Sequence, residues 1–157
     1  MVKVVIGTDH AGFALKEKIK RYLKSKGHSV SDQGARRYNK DDDYPDYAAK
    51  VARIVSKDRN SRGILLCGSA EGMCIAANKF RNIRAVAVWS AASAKLTRQH
   101  NDSNVLCLGG GQMLKKSRGL PFTRAKSIID AWLKTEFSRE ERHKRRIGKI
   151  KKIEGRW

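Results

Sequence analysis

Residues 63 to 80 constrain this chain more than any other stretch. Gly63-Ile64-Leu65-Leu66 is an apolar run that reads as a buried strand ending at Cys67, and residues 72 to 80 form an alanine-rich helical pattern. Between them lies a turn of small residues, Gly68-Ser69-Ala70, followed by Glu71. A strand that turns straight into a helix brings free backbone N–H groups and the positive end of the helix dipole to one point. Negative charge is stabilised at such a point. Cys67 closes the strand, and the same field predicts a thiol pKa below the ordinary value of about 8.5.

The same alternation extends along the chain. Strands are predicted at Val2–Ile6, Ser29–Ser31, Ile64–Cys67, Arg84–Trp89 and Val105–Gly109. Helices are predicted at Gly12–Lys26, Pro45–Ser56, Gly72–Phe80, Ala91–Gln99, Arg124–Lys134 and Glu140–Lys152. Strands that alternate with helices imply right-handed crossovers and a parallel sheet covered on both faces, a three-layer α/β/α Rossmann-like domain. With 157 residues, 40% of them apolar, one domain spanning the chain can bury its own core. No apolar stretch approaches the roughly 18 residues of a membrane span, and the chain opens on a strand, so a cytoplasmic protein with no membrane contact is expected. Three cysteines with no CxxC pair argue against a disulfide framework and a structural zinc site.

Charge narrows the partners. The net charge is +20, and residues 111 to 157, with 15 basic and 5 acidic side chains, are about twice as basic per residue as the rest. Such a surface attracts polyanions and small phosphorylated molecules alike. Nucleic acid is the weaker of the two candidates, because few aromatic side chains are interleaved with the basic ones to stack bases.

In a parallel sheet, chemistry gathers at the carboxyl ends of the strands. Thr8-Asp9-His10-Ala11-Gly12 follows the first strand, Cys67-Gly68-Ser69 the third and Gly109-Gly110-Gly111 the fifth, while His100-Asn101-Asp102 reads as the loop entering the fifth strand. An acid, two histidines, a thiol and a hydroxyl sharing one cleft would suit proton transfer beside a carbonyl. Arg142 and Arg146, four residues apart on a helix, share one face and make a fork for a phosphate dianion. The plainer reading of that helix is a solvated basic face.

Gly7-Thr8-Asp9-His10-Ala11-Gly12-Phe13, Asp43-Tyr44-Pro45, Cys67-Gly68-Ser69, Ile75-Ala76-Ala77-Asn78-Lys79, Arg98-Gln99-His100-Asn101-Asp102 and Asp130-Ala131-Trp132-Leu133 closely resemble the type B ribose-5-phosphate isomerases. The wider family includes allose- and galactose-phosphate isomerases. The resemblance runs from about residue 2 to 150. It implies a homodimer, often paired into a tetramer, with C-terminal helices reaching the partner, active sites at the dimer interface, and neither cofactor nor metal. It also implies interconversion of an aldose and a ketose phosphate through an enediolate, with ribose 5-phosphate or a six-carbon sugar phosphate as substrate.

By the same resemblance, Cys67 is the base and Ser69 the hydroxyl beside it, and the amides of Gly68, Ala70, Glu71 and Gly72 form the anion hole. His100 opens the furanose ring with Asp9 nearby, Tyr44 and Asn101 face the substrate, and His10 lies in the phosphate site. Residues 142 to 146 belong to that phosphate site, where Arg142 and Arg146 would reach in from the neighbouring subunit.

Three features depart from the family's pattern. Ala70 occupies a common glycine position and Glu71 an apolar one, and Glu71 is expected to face solvent or a partner. Gly111 stands where an arginine is usual. The segment from Gln112 to Phe122 is longer than expected and carries Lys115, Lys116 and Arg118. Several residues also have structural readings. A lone cysteine at a strand end is most often a small buried apolar group, Cys74, Cys107, Trp89 and Trp132 read as core, His28 as exposed, and Asp41–Asp43 as a solvated cap on the next helix.

Overall fold

The structure, a computed structural model, describes residues 1–111 and 119–155. Five strands run β1 (Lys3–Thr8), β2 (Ser29–Asp32), β3 (Ser61–Cys67), β4 (Ala85–Ala87) and β5 (Val105–Gly109). The helices are α1 (Phe13–Ser25), α2 (Tyr44–Lys57), α3 (Glu71–Ala77), α4 (Ala91–Asn101), α5 (Phe122–Lys134) and α6 (Glu141–Glu154). A 3-10 turn, His10–Gly12, leads into α1. Every strand pairing is parallel, in the order β2-β1-β3-β5-β4.

Successive side chains of a strand point to opposite faces, so a strand buried on both sides must be apolar throughout. In β1, Val4 and Ile6 pack with Leu15, Ile19 and Leu23 of α1, Ala94 of α4 and Ile128, Ile129 and Trp132 of α5. Val5 points the other way, to Ala48, Val51, Ala52 and Val55 of α2 and Met73 and Ala77 of α3. The result is the expected three-layer α/β/α arrangement, with α6 outside it against α4.

Two buried polar latches tie the layers together. Lys16 is almost fully buried, yet its Nζ donates to both carboxylate oxygens of Asp32, at 3.2 and 2.9 Å, and to the Ala35 carbonyl at 2.6 Å. Arg98 donates from Nη1 to Asp102 and to the Ser103 carbonyl, both at 2.7 Å, while Trp132 Nε1 donates to Ser103 Oγ at 2.8 Å. These bonds fix the end of α4.

Several expectations need correction. His100 and Asn101 do not lie in a loop. They form the last turn of α4, because the helix continues until Asp102 adopts a left-handed conformation with φ 45°. Trp89 is exposed rather than core, with its ring set over Gly109. His28 is half-buried, its Nδ1 accepting the Val2 N–H at 3.2 Å. Cys107 is core as expected, but Cys74 is only half-buried. Lys115, Lys116, Arg118 and Trp157 lie outside the described residues.

Candidate active site

The connections after β1 and β3 leave in opposite directions, toward β2 on one side and β4 on the other. Neighbouring strands with diverging connections leave a crevice at their carboxyl ends, the usual ligand position in an open α/β sheet. Asp9–Gly12 and Cys67–Gly72 meet at this point.

Cys67 ends β3 and is almost fully buried. Its sulfur accepts the Ala70 N–H at 3.1 Å. Ala70 directs its amide there because it takes the left-handed conformation, φ 79°, as α3 begins. The thiol pKa nevertheless lies above its ordinary value, contrary to the reading from the helix field alone. Burial raises it most, the N–H groups of Met73, Ala70 and Ser69 oppose this, and the Asp9 carboxylate adds to the rise. Cys107, fully buried next to Cys74, is raised further, whereas its hydrogen bond with Cys74 brings that thiol down to about 7, against the effect of burial.

Asp9 caps the 3-10 turn, its Oδ1 accepting the N–H groups of Ala11 at 3.0 Å and Gly12 at 3.4 Å. Burial raises its carboxyl pKa despite those bonds. His10 is positioned by a residue that the sequence did not single out for this role. Asp42 Oδ1 accepts the His10 backbone N–H at 3.0 Å and lies 2.7 Å from His10 Nδ1. A proton on Nδ1 is thereby favoured, leaving Nε2 as the free ring nitrogen. The Asp41–Asp43 run is thus more than a solvated cap, and Asp43, at the N-cap of α2, makes no side-chain capping bond.

Tyr44 starts α2 with its ring over Gly72. A Cβ at Gly72 would come within 2.8 Å of that ring, so glycine permits the contact. Ser69 is half-buried and Glu71 is exposed, as anticipated for the latter. Gly111 also has a steric role: a Cβ there would lie 2.6 Å from Gly68 Cα. A side chain at this position would therefore require the loop to shift.

The remaining candidates lie elsewhere. A helix leaving the carboxyl end of β4 returns to the amino end of β5, so His100 and Asn101 sit at the end of the sheet opposite Cys67. Arg84, which precedes β4, confirms the placement by donating to the Asn101 carbonyl at 2.9 Å. His100 stacks on His143 of α6 with ring centroids 4.4 Å apart and planes 8° apart. His143 is buried and its pKa is lowered, first by burial and then by His100. It faces inward, while Arg142 and Arg146 are exposed. The candidate residues therefore fall at opposite ends of the sheet as two candidate half-sites, one with Asp9, His10, Tyr44, Cys67 and Ser69, the other with His100, Asn101, Arg142 and Arg146. The expectation that both histidines and the thiol share one cleft fails within a single chain.

The family model for Ribose/Galactose Isomerase matches residues 4–150. The chain belongs to that family. Among its relatives, ribose-5-phosphate isomerase B of Escherichia coli (strain K12) is 43% identical over 156 residues, covering 99% of both chains. The ribose-5-phosphate isomerase B of Mycobacterium tuberculosis (strain CDC 1551 / Oshkosh) is 40% identical over 146 residues, 93% of this chain and 86% of that one. Among solved structures, that of Clostridium thermocellum ribose-5-phosphate isomerase B has a TM-score of 0.89 and 41% identity, covering 99% of both chains. The Mycoplasma genitalium enzyme with bound ribulose-5-phosphate has a TM-score of 0.90 and 39% identity, covering 98% of this chain and 97% of that one. This family's fold is the one described above for residues 1–111 and 119–155.

Proposed function

We propose that the chain is a cofactor-independent isomerase that interconverts ribose 5-phosphate and ribulose 5-phosphate through an enediolate. The observation that carries this reading is the Cys67 sulfur, held at the crevice with the Ala70 amide aimed at it. In the aldose-to-ketose direction, the Cys67 thiolate takes the proton from C2. The C2–H electrons form the C1–C2 double bond, and negative charge collects on the carbonyl oxygen, where N–H groups of the 68 to 72 loop stabilise it. The O2 proton passes to O1, the O2–H electrons form the C2 carbonyl, and the electrons of the C1–C2 double bond take the proton back from sulfur at C1. A thiol raised by burial gives a stronger base at the cost of a smaller ionised fraction at neutral pH.

A second copy of the chain completes the site in this reading. Its His100 and Asn101 face the sugar ring, and its Arg142 and Arg146 take the phosphate opposite His10. The separation of the two half-sites supports an active site at a dimer interface. The likeness to an enzyme bound to ribulose-5-phosphate favours a five-carbon substrate over a six-carbon one.

The test is turnover of ribose 5-phosphate by Cys67→Ala. General-base catalysis contributes roughly 10²- to 10⁴-fold, and a loss of that size in kcat is expected. Activity within a few-fold of the parent would remove Cys67 as the base. A panel including allose 6-phosphate and galactose 6-phosphate tests the choice of sugar.

A further inference from the structure

A second cationic concavity lies at the amino ends of β3, β4 and β5, away from the thiol crevice. It has a volume of about 160 Å³. Arg59 and Arg62 line it from the approach to β3 and its first residues, Arg84 from the approach to β4, and Lys151 from α6. Asp102 is the one carboxylate among its described lining residues.

That carboxylate is already shared. Its Oδ1 takes Arg98 Nη1 at 2.7 Å and its Oδ2 takes Arg84 Nη2 at 2.9 Å. Asp58, on the same turn as Arg59, is engaged by Lys3 at 3.0 Å, and Glu154 accepts the Asn82 N–H at 3.1 Å. Arg62 donates Nη1 only to the carbonyls of Arg59 and Ser61, each at 3.0 Å, and meets no carboxylate among the described residues. Its pKa is lowered by burial first, then by Arg98 and Arg84, with Asp102 opposing. The side chains of Arg59 and Lys151 make no hydrogen bond or ion pair among the described residues. Four cations thus surround one small space with a single, already divided counter-charge. Arg62 is half-buried without a carboxylate partner among the described residues, and an anion in that space would offset both its desolvation and the mutual repulsion of the four cations.

We propose that this concavity is a second anion site, which takes a small phosphate ligand of the pyrophosphate class. Its size decides the class: pockets for drug-sized ligands span about 300–1,000 Å³, so this one admits phosphoryl groups and leaves any nucleoside outside. It lies apart from the proposed phosphate grip, since Lys151 is five residues beyond Arg146, about 7.5 Å along α6. None of its lining residues belongs to either half-site.

The experiment is calorimetric titration of the full chain with inorganic pyrophosphate at physiological ionic strength, in an Arg142→Ala, Arg146→Ala background that removes the other phosphate grip. About one pyrophosphate per chain is expected to bind. Adding Arg59→Ala and Lys151→Ala should weaken it at least about tenfold, because two charge-assisted contacts are lost. Both side chains are exposed and unpartnered among the described residues, so these changes leave the fold intact. In the otherwise unaltered chain they also leave turnover unchanged. ADP should bind about as tightly as pyrophosphate. Absence of binding in the Arg142, Arg146 background, or binding that survives loss of Arg59 and Lys151, overturns the site. ADP binding more than about tenfold tighter overturns the ligand class.

Discussion

Mixing two inactive variants should restore activity. Cys67 pairs in register with Gly109 at the carboxyl end of β5, whereas His100 precedes Asn104 at the amino end. The five residues of β5, at about 3.3 Å each, separate those ends by roughly 15 Å. Proton transfer needs contacts of about 3 Å, so Cys67 and His100 of one chain cannot serve one substrate. In a two-fold dimer, each site would combine Cys67 of one chain with His100 of the other. A dimer of one Cys67→Ala chain and one His100→Ala chain then holds one intact site and one doubly defective site. Isolated by two affinity tags, that heterodimer should show about half the wild-type turnover of ribose 5-phosphate, and a random equimolar mixture about a quarter. Turnover no greater than that of the separate variants would refute the shared site.

Three other outcomes are expected. Alkylation followed by mass spectrometry across pH should modify Cys74 with a midpoint near its pKa of about 7, and Cys67 only at higher pH because burial raises it; the reverse order would contradict the burial argument. Arg142→Ala deletes a charge-assisted phosphate contact of about 1.5–3 kcal/mol, so KM for ribose 5-phosphate should rise roughly 10- to 150-fold, and an unchanged KM would remove Arg142 from the phosphate site. Lys16→Met leaves Asp32 without its buried partner, a loss of about 3 kcal/mol and roughly 6–12 °C in Tm by circular dichroism. Burial alone would raise the Asp32 carboxyl, but hydrogen bonds from Lys20 and Lys16 outweigh it and bring its pKa down. Its contribution is therefore complete above the unfolded-state carboxylate pKa and lost as pH falls through the lower folded value, so the melting temperature of the parent should decline in acid more steeply than that of Lys16→Met.

Much of this architecture was legible because the strands are buried on both faces. Ile64-Leu65-Leu66 and Val105-Leu106-Cys107-Leu108 have no polar residue to interrupt them, and each ends in glycines or small residues that mark the site. Positions set by tertiary contact were harder to read. The polar end of α4 resembles a loop in sequence, and only the latch of Arg98, Asp102 and Ser103 reveals a helix reaching the far end of the sheet. Asp42 is one of three adjacent aspartates, and its role depends on a histidine 32 residues away. Trp89 belongs to an apolar stretch but falls beyond β4, and among the described residues it is exposed. The expected acidity of Cys67 followed from local dipoles, and burial in the folded chain reversed it.

Ala70 bears on how quickly such a crevice can act. A left-handed alanine costs about 1 kcal/mol relative to its relaxed form, a penalty met once, when the polypeptide folds. The bend therefore stays cocked between encounters, and an incoming molecule finds its amide already aimed. In the proposed mechanism the corner is thus set before the sugar phosphate enters, and its strain is no part of the barrier to each turnover.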